Sequence, residues 1–380
     1  MADKKLSPSS SIPAPVPWRR IGVGLGAALA LMVVSWLGLL LYRGGVFVDT
    51  SPLAPPGCHA IRGFLGPEDI AVDPARSQAY VTGADRYAVF EKGGKPDGHL
   101  ILLQRLAQGW KEERLEPLPP DRFFPHGLDF LPTSDGGRLF VVDHGANGHT
   151  HAIRIFRPTA DGGLALVASH QGSALVDPND VAALDETRFY VTNLYGSHGG
   201  LGRMLENYFF LPRANVVFFD GQRFRVVAQG LLLANGVVYD REQERLYVAE
   251  VTGRRIRVYR INPDSGALVE ERRIPLPFGP DNLVLDGTGR LWAAGHPNLL
   301  ATARMMRDIS KPAPSAVAIV EAPASDHPRV TLVYRDPGKE IPAASVAAPF
   351  AGRLLIGAVY GDHLLACPLP ERKKDGLADQ

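Results

Sequence analysis

The chain has 380 residues, 45% of them hydrophobic and 21% charged, which is ample for a large core and too long for one small domain. Lys and Arg number 41 against 40 Asp and Glu, with no basic cluster in the body of the chain, so the electrostatic footprint of a nucleic-acid-binding protein is absent. The 40 glycines and 32 prolines, set among many short apolar runs, point away from a helical fold and toward an all-β one rich in turns.

Residues 1–20 form a polar, Pro- and Ser-rich tail that reads as disordered. Residues 21–42, IGVGLGAALALMVVSWLGLLLY, carry no charge. At about 1.5 Å per residue such a helix reaches about 33 Å, enough for a bilayer core of about 30 Å. Lys4, Lys5, Arg19 and Arg20 precede it and only Arg43 follows closely. The positive-inside rule then predicts a single-pass membrane protein with a cytoplasmic N-terminus and everything after the helix periplasmic or extracellular. A cleaved signal peptide is the alternative; the apolar stretch is long for one, and no A-x-A-type site follows it. Residues 43–57 read as a linker, 58–370 as the folded domain and 371–380 as a C-terminal tail.

The two cysteines, Cys58 and Cys367, stand at opposite ends of the folded domain. In an oxidising compartment they can form a disulfide that closes the whole domain; two unrelated buried thiols are the alternative. No N-x-S/T sequon occurs, which leans toward a bacterial rather than a glycosylated secreted protein.

Within the domain one pattern recurs. "GPEDIAVD" (66–73) is followed by "QAYVTG", "FPHGLDFL" (124–131) by "RLFVVDHG", and "DPNDVAAL" (177–184) by "RFYVTN". "LANGVVYD" (233–240) leads to "RLYVAEV", "GPDNLVLD" (279–286) to "RLWAAGHP", and "PAASVAAP" (342–349) to "RLLIGAV". Each unit is a small or proline-bearing lead-in, a polar pair, an apolar alternation, a turn and a second strand. Six degenerate repeats of several short strands predict a six-bladed β-propeller, an all-β domain preceded by the single N-terminal transmembrane helix. A pair of β-sandwiches would not require six alike beginnings. The first strand of each propeller blade lines the central channel, so the polar pairs are expected to converge at one mouth. The segment around Cys58 is expected to pair into the last blade beside "HLLACPL" and lock the ring.

In blade order the pairs are Glu68-Asp69, His126-Gly127, Asn179-Asp180, Asn235-Gly236, Asp281-Asn282 and Ser345-Val346. Carboxylates gathered around one axis repel each other unless a cation neutralises them. A set of oxygen donors with one His and no Cys suits Ca²⁺ rather than Zn²⁺. The alternative is that Asp and Asn merely cap loops at the blade entrance. The turn "TSDGG", centred on residue 135, sets His126 opposite His144 in an antiparallel hairpin. Two imidazoles so placed can take a proton from water and relay it. The other two histidines of "HGANGHTH", His149 and His151, read as loop residues.

The runs "PEDIAVD", "FFPHGLDF", "VVDHG", "PNDVAAL", "LLLANGVVY" and "GPDNLVLDGTGRLWAAGHPN", with the terminal Cys, resemble the serum paraoxonase/arylesterase family in order and spacing over roughly residues 55–370. The resemblance implies a propeller with two calcium ions in its channel and lactonase or arylesterase activity on small molecules. It implies a catalytic calcium at Glu68, Asn179, Asn235, Asp281 and Asn282, and a deeper structural calcium at Asp69, Asp180 and the Leu128 backbone carbonyl. It further implies a histidine dyad at His126 and His144, an N-to-C disulfide at Cys58 and Cys367, and a pocket-wall role for His296. The segment 195–215 matches only in position; there an apolar lid would put Tyr208, Phe209 and Phe210 on the substrate pocket. Gly295 stands where some members carry a free thiol, so no thiol role carries over.

These residues imply ester hydrolysis in which calcium polarises the carbonyl and His126, assisted by His144, activates water, with Asp281 as the alternative base. Two rivals remain. One is a gluconolactonase- or strictosidine-synthase-like propeller with a different reaction, against which the intact histidine pair argues. The other is a non-catalytic, membrane-tethered binding module.

Overall fold

Short runs of β-branched and aromatic residues, broken by Gly, Pro and Asp turns, build six four-stranded antiparallel sheets around one axis. This computed structural model describes residues 18–95, 97–115, 123–145 and 150–370. Residues 1–17 of the tail expected at 1–20, the tail expected at 371–380, and His149 lie outside the described residues, while residues 18–20 belong to the first helix.

Helix α1 (Trp18–Arg43) and strand β1 (His59–Arg62) come first. Blade 1 holds β2 (Pro67–Asp73), β3 (Gln78–Ala84), helix α2 (Arg86–Lys92), β4 (Gly98–Leu106) and β5 (Gly109–Arg114). Blade 2 is β6 (Pro125–Leu131), β7 (Arg138–Asp143), β8 (Ala152–Pro158) and β9 (Leu164–His170). Blade 3 is β10 (Pro178–Ala183), β11 (Phe189–Asn193), helix α3 (Gly200–Phe209), β12 (Ala214–Phe219) and β13 (Phe224–Leu231). Blade 4 is β14 (Ala234–Asp240), β15 (Arg245–Glu250), β16 (Arg255–Asn262) and β17 (Ala267–Pro275). Blade 5 is β18 (Gly279–Leu285), β19 (Leu291–His296), helix α4 (Leu299–Arg307), β20 (Ser315–Glu321) and β21 (Arg329–Asp336). Blade 6 is β22 (Ala344–Phe350), β23 (Arg353–Ala358) and β24 (His363–Pro368), completed on its outer edge by β1.

That last pairing closes the ring. His59 faces Ala366 and Arg62 faces His363, and the Cys58–Cys367 disulfide joins the two strands across 309 residues of sequence. The lock expected from the sequence is the one observed.

The propeller has no single core. One apolar layer fills each of the six gaps between neighbouring blades. Ile70 and Val81 of blade 1 meet Val346 and Leu355 of blade 6 on one side, while Tyr80 and Leu100 meet Phe130 and Val141 of blade 2 on the other. Because both faces of every sheet are covered, the second strands read as unbroken apolar runs rather than as an apolar–polar alternation.

All six inner strands, β2, β6, β10, β14, β18 and β22, change register against their partners, and the change falls at the polar pair. A bulge leaves the extra residue out of the ladder and re-aims its side chain. The sequence placed these residues at the start of a strand; the fold turns them into the channel there. The connections from second to third strand, which carry α2, α3 and α4, leave each blade at the same end as these bulges.

Helix α1 meets that same face. The Gly44 carbonyl accepts from Leu299 N–H at 2.8 Å, and Trp36 Nε1 donates to the Tyr208 carbonyl at 2.9 Å. Residues Gly22–Arg43 have a mean hydropathy of 2.2 and none of them is buried, so the helix is long and apolar enough to span a membrane. The stretch expected as a linker packs along β21, where Leu53 and Arg335 exchange two backbone hydrogen bonds of 2.7 Å.

Candidate active site

The bulges gather the polar pairs at one end of the channel, and two glycines let them come close. A Cβ on Gly127 would lie 2.6 Å from Asp180 Cα, and one on Gly236 would lie 2.6 Å from the Asp281 carbonyl oxygen. No other residue fits where the inner strands of blades 2 and 4 approach those of blades 3 and 5. The second member of each of those two pairs is glycine for this reason.

Glu68, Asn179, Asn235, Asp281 and Asn282 are all buried. Asn282 Nδ2 donates to Glu68 Oε1 at 2.8 Å, and Asn179 Nδ2 lies 3.5 Å from His126 Nε2. With their amide nitrogens so engaged, the remaining oxygens are left over. Glu68 Oε2, Asn179 Oδ1, Asn235 Oδ1 and Asn282 Oδ1 are sealed from solvent and accept no hydrogen bond. Each such group costs about 1–3 kcal/mol if nothing compensates it. Four of them drawn from one set of bulges are what a hard, oxygen-preferring cation requires, and the donor set fits calcium on that ground. Among the described residues no three His, Cys, Asp or Glu side chains form a metal cluster by themselves. The candidate set differs from such a cluster because three of its five members are amides.

Electrostatics agree. Burial pushes the Glu68 carboxyl up to about 8; the Arg86 charge opposes this and Asp69 and Asp281 add to it. Asp69 is pushed up to about 7, again mainly by burial, and Asp180 well above the usual carboxylate range. Without a cation these acids favour their protonated forms.

The deeper residues are bonded differently. Asp69 accepts from Ile70 N–H at 2.8 Å and, across the blade boundary, from Leu128 N–H at 2.9 Å. Asp180 accepts from Val181 N–H and from Val237 N–H of blade 4, both at 2.7 Å. Asp129 makes a similar link to Ala183 N–H of blade 3 at 2.8 Å. Every oxygen of Asp69 and Asp180 thus has one partner and a lone pair to spare, so these residues can hold an ion while also stitching blades together. Beyond Asp69 and Asp180 the channel widens into a cavity of about 960 Å³ reaching the opposite face.

His126 Nδ1 lies 2.8 Å from His144 Nε2, and its Nε2 lies 3.6 Å from Glu68 Oε1. The imidazole therefore bridges its partner histidine and the donor set. Burial first, then the Arg86 charge, holds His126 well below the usual histidine range, which favours its neutral form. The dyad forms, but not in the register the hairpin spacing predicts. Pro125 pairs with Asp143 and Leu128 with Val141, so His126 sits in the bulge and His144 just past the end of β7.

His296 Nε2 lies 2.8 Å from Asp281 Oδ2. Expected as pocket wall, it lies against a candidate ligand, a contact of the kind that can orient such a carboxylate. Phe209, also expected on the pocket, stacks on Trp36 of α1 with ring centroids 5.4 Å apart. Phe210 is buried beneath the Arg43 guanidinium, 4.9 Å from its ring centroid. These two aromatics make the joint between α3 and α1. Ser345, the polar residue of the sixth pair, donates to the Glu68 carbonyl at 2.6 Å and ties blade 6 to blade 1.

Two residues of the site were missed in the sequence. Arg86, at the start of α2, is buried and donates to the carbonyls of Gly66 at 3.1 Å and Pro125 at 2.7 Å, clamping blades 1 and 2 at the mouth. A lone Arg in a connecting loop carries no signal of that. His151, read as a loop residue, lies with its Nδ1 2.9 Å from His144 Nδ1. Here a signal existed: Asp143 pairs with Ala152 in the β7–β8 hairpin, which sets 144 opposite 151.

Comparison with known proteins gives a consistent picture. Residues 112–369 match the arylesterase family. The chain is 30% identical over 363 residues to human serum paraoxonase/arylesterase 2, covering 92% of this chain and 99% of that protein. It is 28% identical to mouse serum paraoxonase/lactonase 3, covering 88% and 95%. Among solved structures, a luciferin-regenerating enzyme superposes with a TM-score of 0.52 at 14% identity, covering 84% of this chain and 96% of that one, a likeness of fold.

Proposed function

The chain belongs to the arylesterase family, and from that premise we propose that it is a calcium-dependent hydrolase of lactones and aryl esters. One observation carries the reading: four sealed, partnerless oxygens stand in the same set of bulges as an imidazole whose Nε2 lies 3.6 Å from Glu68 Oε1. Glu68, Asn179, Asn235, Asp281 and Asn282 would hold a catalytic ion, and Asp69, Asp180 and the Leu128 carbonyl a deeper structural one. A bound calcium supplies a Lewis acid for the substrate carbonyl and for the negative charge that develops on its oxygen. His126 Nε2 takes the proton from the attacking water, and His144 receives the hydrogen bond of the opposite ring nitrogen, fixing the tautomer that leaves Nε2 bare. His296 holds the Asp281 carboxylate in place. The domain sits outside the cytoplasm on α1, read as a signal anchor with its N-terminus inside.

Phenyl acetate and a γ- or δ-lactone, assayed with calcium, with EDTA and with calcium restored, test this. Turnover that is lost with EDTA and regained with calcium supports the hydrolase; no turnover with calcium leaves the binding-module reading instead. A second reading has a specific observation behind it. The His296–Asp281 pair at 2.8 Å is itself a base with an orienting partner, so Asp281 could activate the water. Near-full turnover in His126→Gln would select it.

A further inference from the structure

We infer that His151 is the outer member of a three-imidazole proton relay and serves His126 as a positioning residue through His144; this rests on the reading of His126 as the base. Three rings stand in line. His126 Nδ1 meets His144 Nε2 at 2.8 Å, and His144 Nδ1 meets His151 Nδ1 at 2.9 Å. The first two rings are inclined at 71° and the second two at 80°, edge to face, as nitrogen-to-nitrogen hydrogen bonds between imidazoles allow.

The chain is fixed at its middle. His144 N–H donates to the Phe124 carbonyl at 3.0 Å. Asp143 Oδ1 accepts from Phe124 and Gly145 N–H, and its other oxygen pairs with Arg154. Among the described residues, Arg86 and Glu68 lie on the His126 side of the relay, and Asp143 pairs with Arg154 beneath His144.

A neutral imidazole has one donor and one acceptor nitrogen, so both contacts can be hydrogen bonds in only two ways. In one, His126 Nδ1–H donates to His144 Nε2, His144 Nδ1–H donates to His151 Nδ1, and His126 Nε2 is bare. In the other every proton is reversed and His126 Nε2 carries hydrogen, which makes it useless as a base. The relay requires the first, in which His151 accepts at Nδ1. It also gives the proton a path. When water attacks the carbonyl carbon, its O–H bond breaks and the proton goes to His126 Nε2. The Nδ1 proton of His126 then passes to His144 Nε2, that of His144 to His151 Nδ1, and the Nε2 proton of His151 to a solvent base. When the acyl–oxygen bond breaks, the leaving alkoxide takes the proton from His126 Nε2, and the chain refills from solvent through His151. One proton is lent and returned per turnover, and the net proton released comes from ionisation of the product acid.

The experiment uses the full-length, calcium-loaded protein with a lactone in dilute, non-imidazole buffer. His151→Ala is expected to lower kcat about tenfold, less than the 10²–10⁴ of a direct base, with KM unchanged. Added imidazole should restore it. His151→Gln can accept the His144 hydrogen bond but cannot pass a proton, so it should be as slow and should not respond to imidazole. Wild-type turnover in His151→Gln would reduce His151 to a structural residue and overturn the relay, even if the alanine variant fails to fold. If His126→Gln is slow while both His151 variants are fast, the relay alone is wrong. If His126→Gln keeps its turnover, the base assignment falls and the relay with it.

Discussion

Asn179, Asn235 and Asn282 turn their amide oxygens, not their nitrogens, to positions where nothing donates to them. The candidate site is thereby split into two kinds of donor with opposite consequences. Asn235→Ala or Asn179→Ala removes a partnerless oxygen, so in EDTA the unfolding temperature should hold or rise, while calcium affinity and turnover fall. Asp69→Ala removes two backbone hydrogen bonds and should destabilise even the metal-free protein by about 1–3 kcal/mol. Thermal unfolding of the variants with and without EDTA checks this; identical behaviour would dissolve the distinction between upper and deeper sets. The acids add a pH dependence. Glu68 and Asp69, pushed up to about 8 and about 7, ionise near 4 in the unfolded chain. The metal-free fold therefore prefers them protonated; through these groups its stability is greatest below pH about 4 and declines as pH rises toward about 8. Calcium must displace those protons, so its affinity should climb across pH about 7 to 8 and then level off. Calorimetric titrations at several pH values measure it, and a flat affinity across that window would take both acids out of the donor set.

At the scale of the strand, the bulge is what turns sequence into site. The repeat of lead-in, polar pair and apolar alternation marks the inner strands in the sequence, and the structure has all six where the repeat begins. The bulge itself was not legible, because one extra residue in a ladder leaves no compositional trace. For that reason the hairpin spacing brought His126 to the right partner in the wrong register. The same spacing rule applied to β7 and β8 would have found His151. The contact of α3 with α1 was not legible for another reason: an apolar face on a loop helix does not say what it meets, and Phe209 meets Trp36. Gly236 tests the bulge directly. Gly236→Ala drives a Cβ to 2.6–2.7 Å from the Asp281 oxygen and Asn282 Cα, which should cost about 1–3 kcal/mol of stability. Turnover should fall with it as Asp281 and Asn282 are displaced. An alanine variant with wild-type stability and activity would mean the inner strands have room to spare.

At the scale of the whole molecule, stability resides in six interfaces and one closure. Each blade is held only by its two neighbours, so the ring is as strong as the gap between blade 6 and blade 1. That gap is secured by β1 on β24 and by the disulfide, both legible in the sequence because two cysteines bracket a repeat array. Cys58→Ser or Cys367→Ser should therefore cost about 2–5 kcal/mol, read as a lower unfolding temperature that reductant no longer changes. Equal stability of oxidised and reduced wild-type protein would refute this. The closure also sets an order of events in the cell. Strand β1 is made well before β24, its only partner, and at about 5–20 residues per second the roughly 300 residues between them take on the order of tens of seconds to synthesise. For that interval the nascent chain carries an unpaired strand edge and an unoxidised thiol next to α1, while five blades assemble behind them. Until its last strand emerges that edge and that thiol are open to wrong partners, so the closure that secures the finished ring is also the last contact to form.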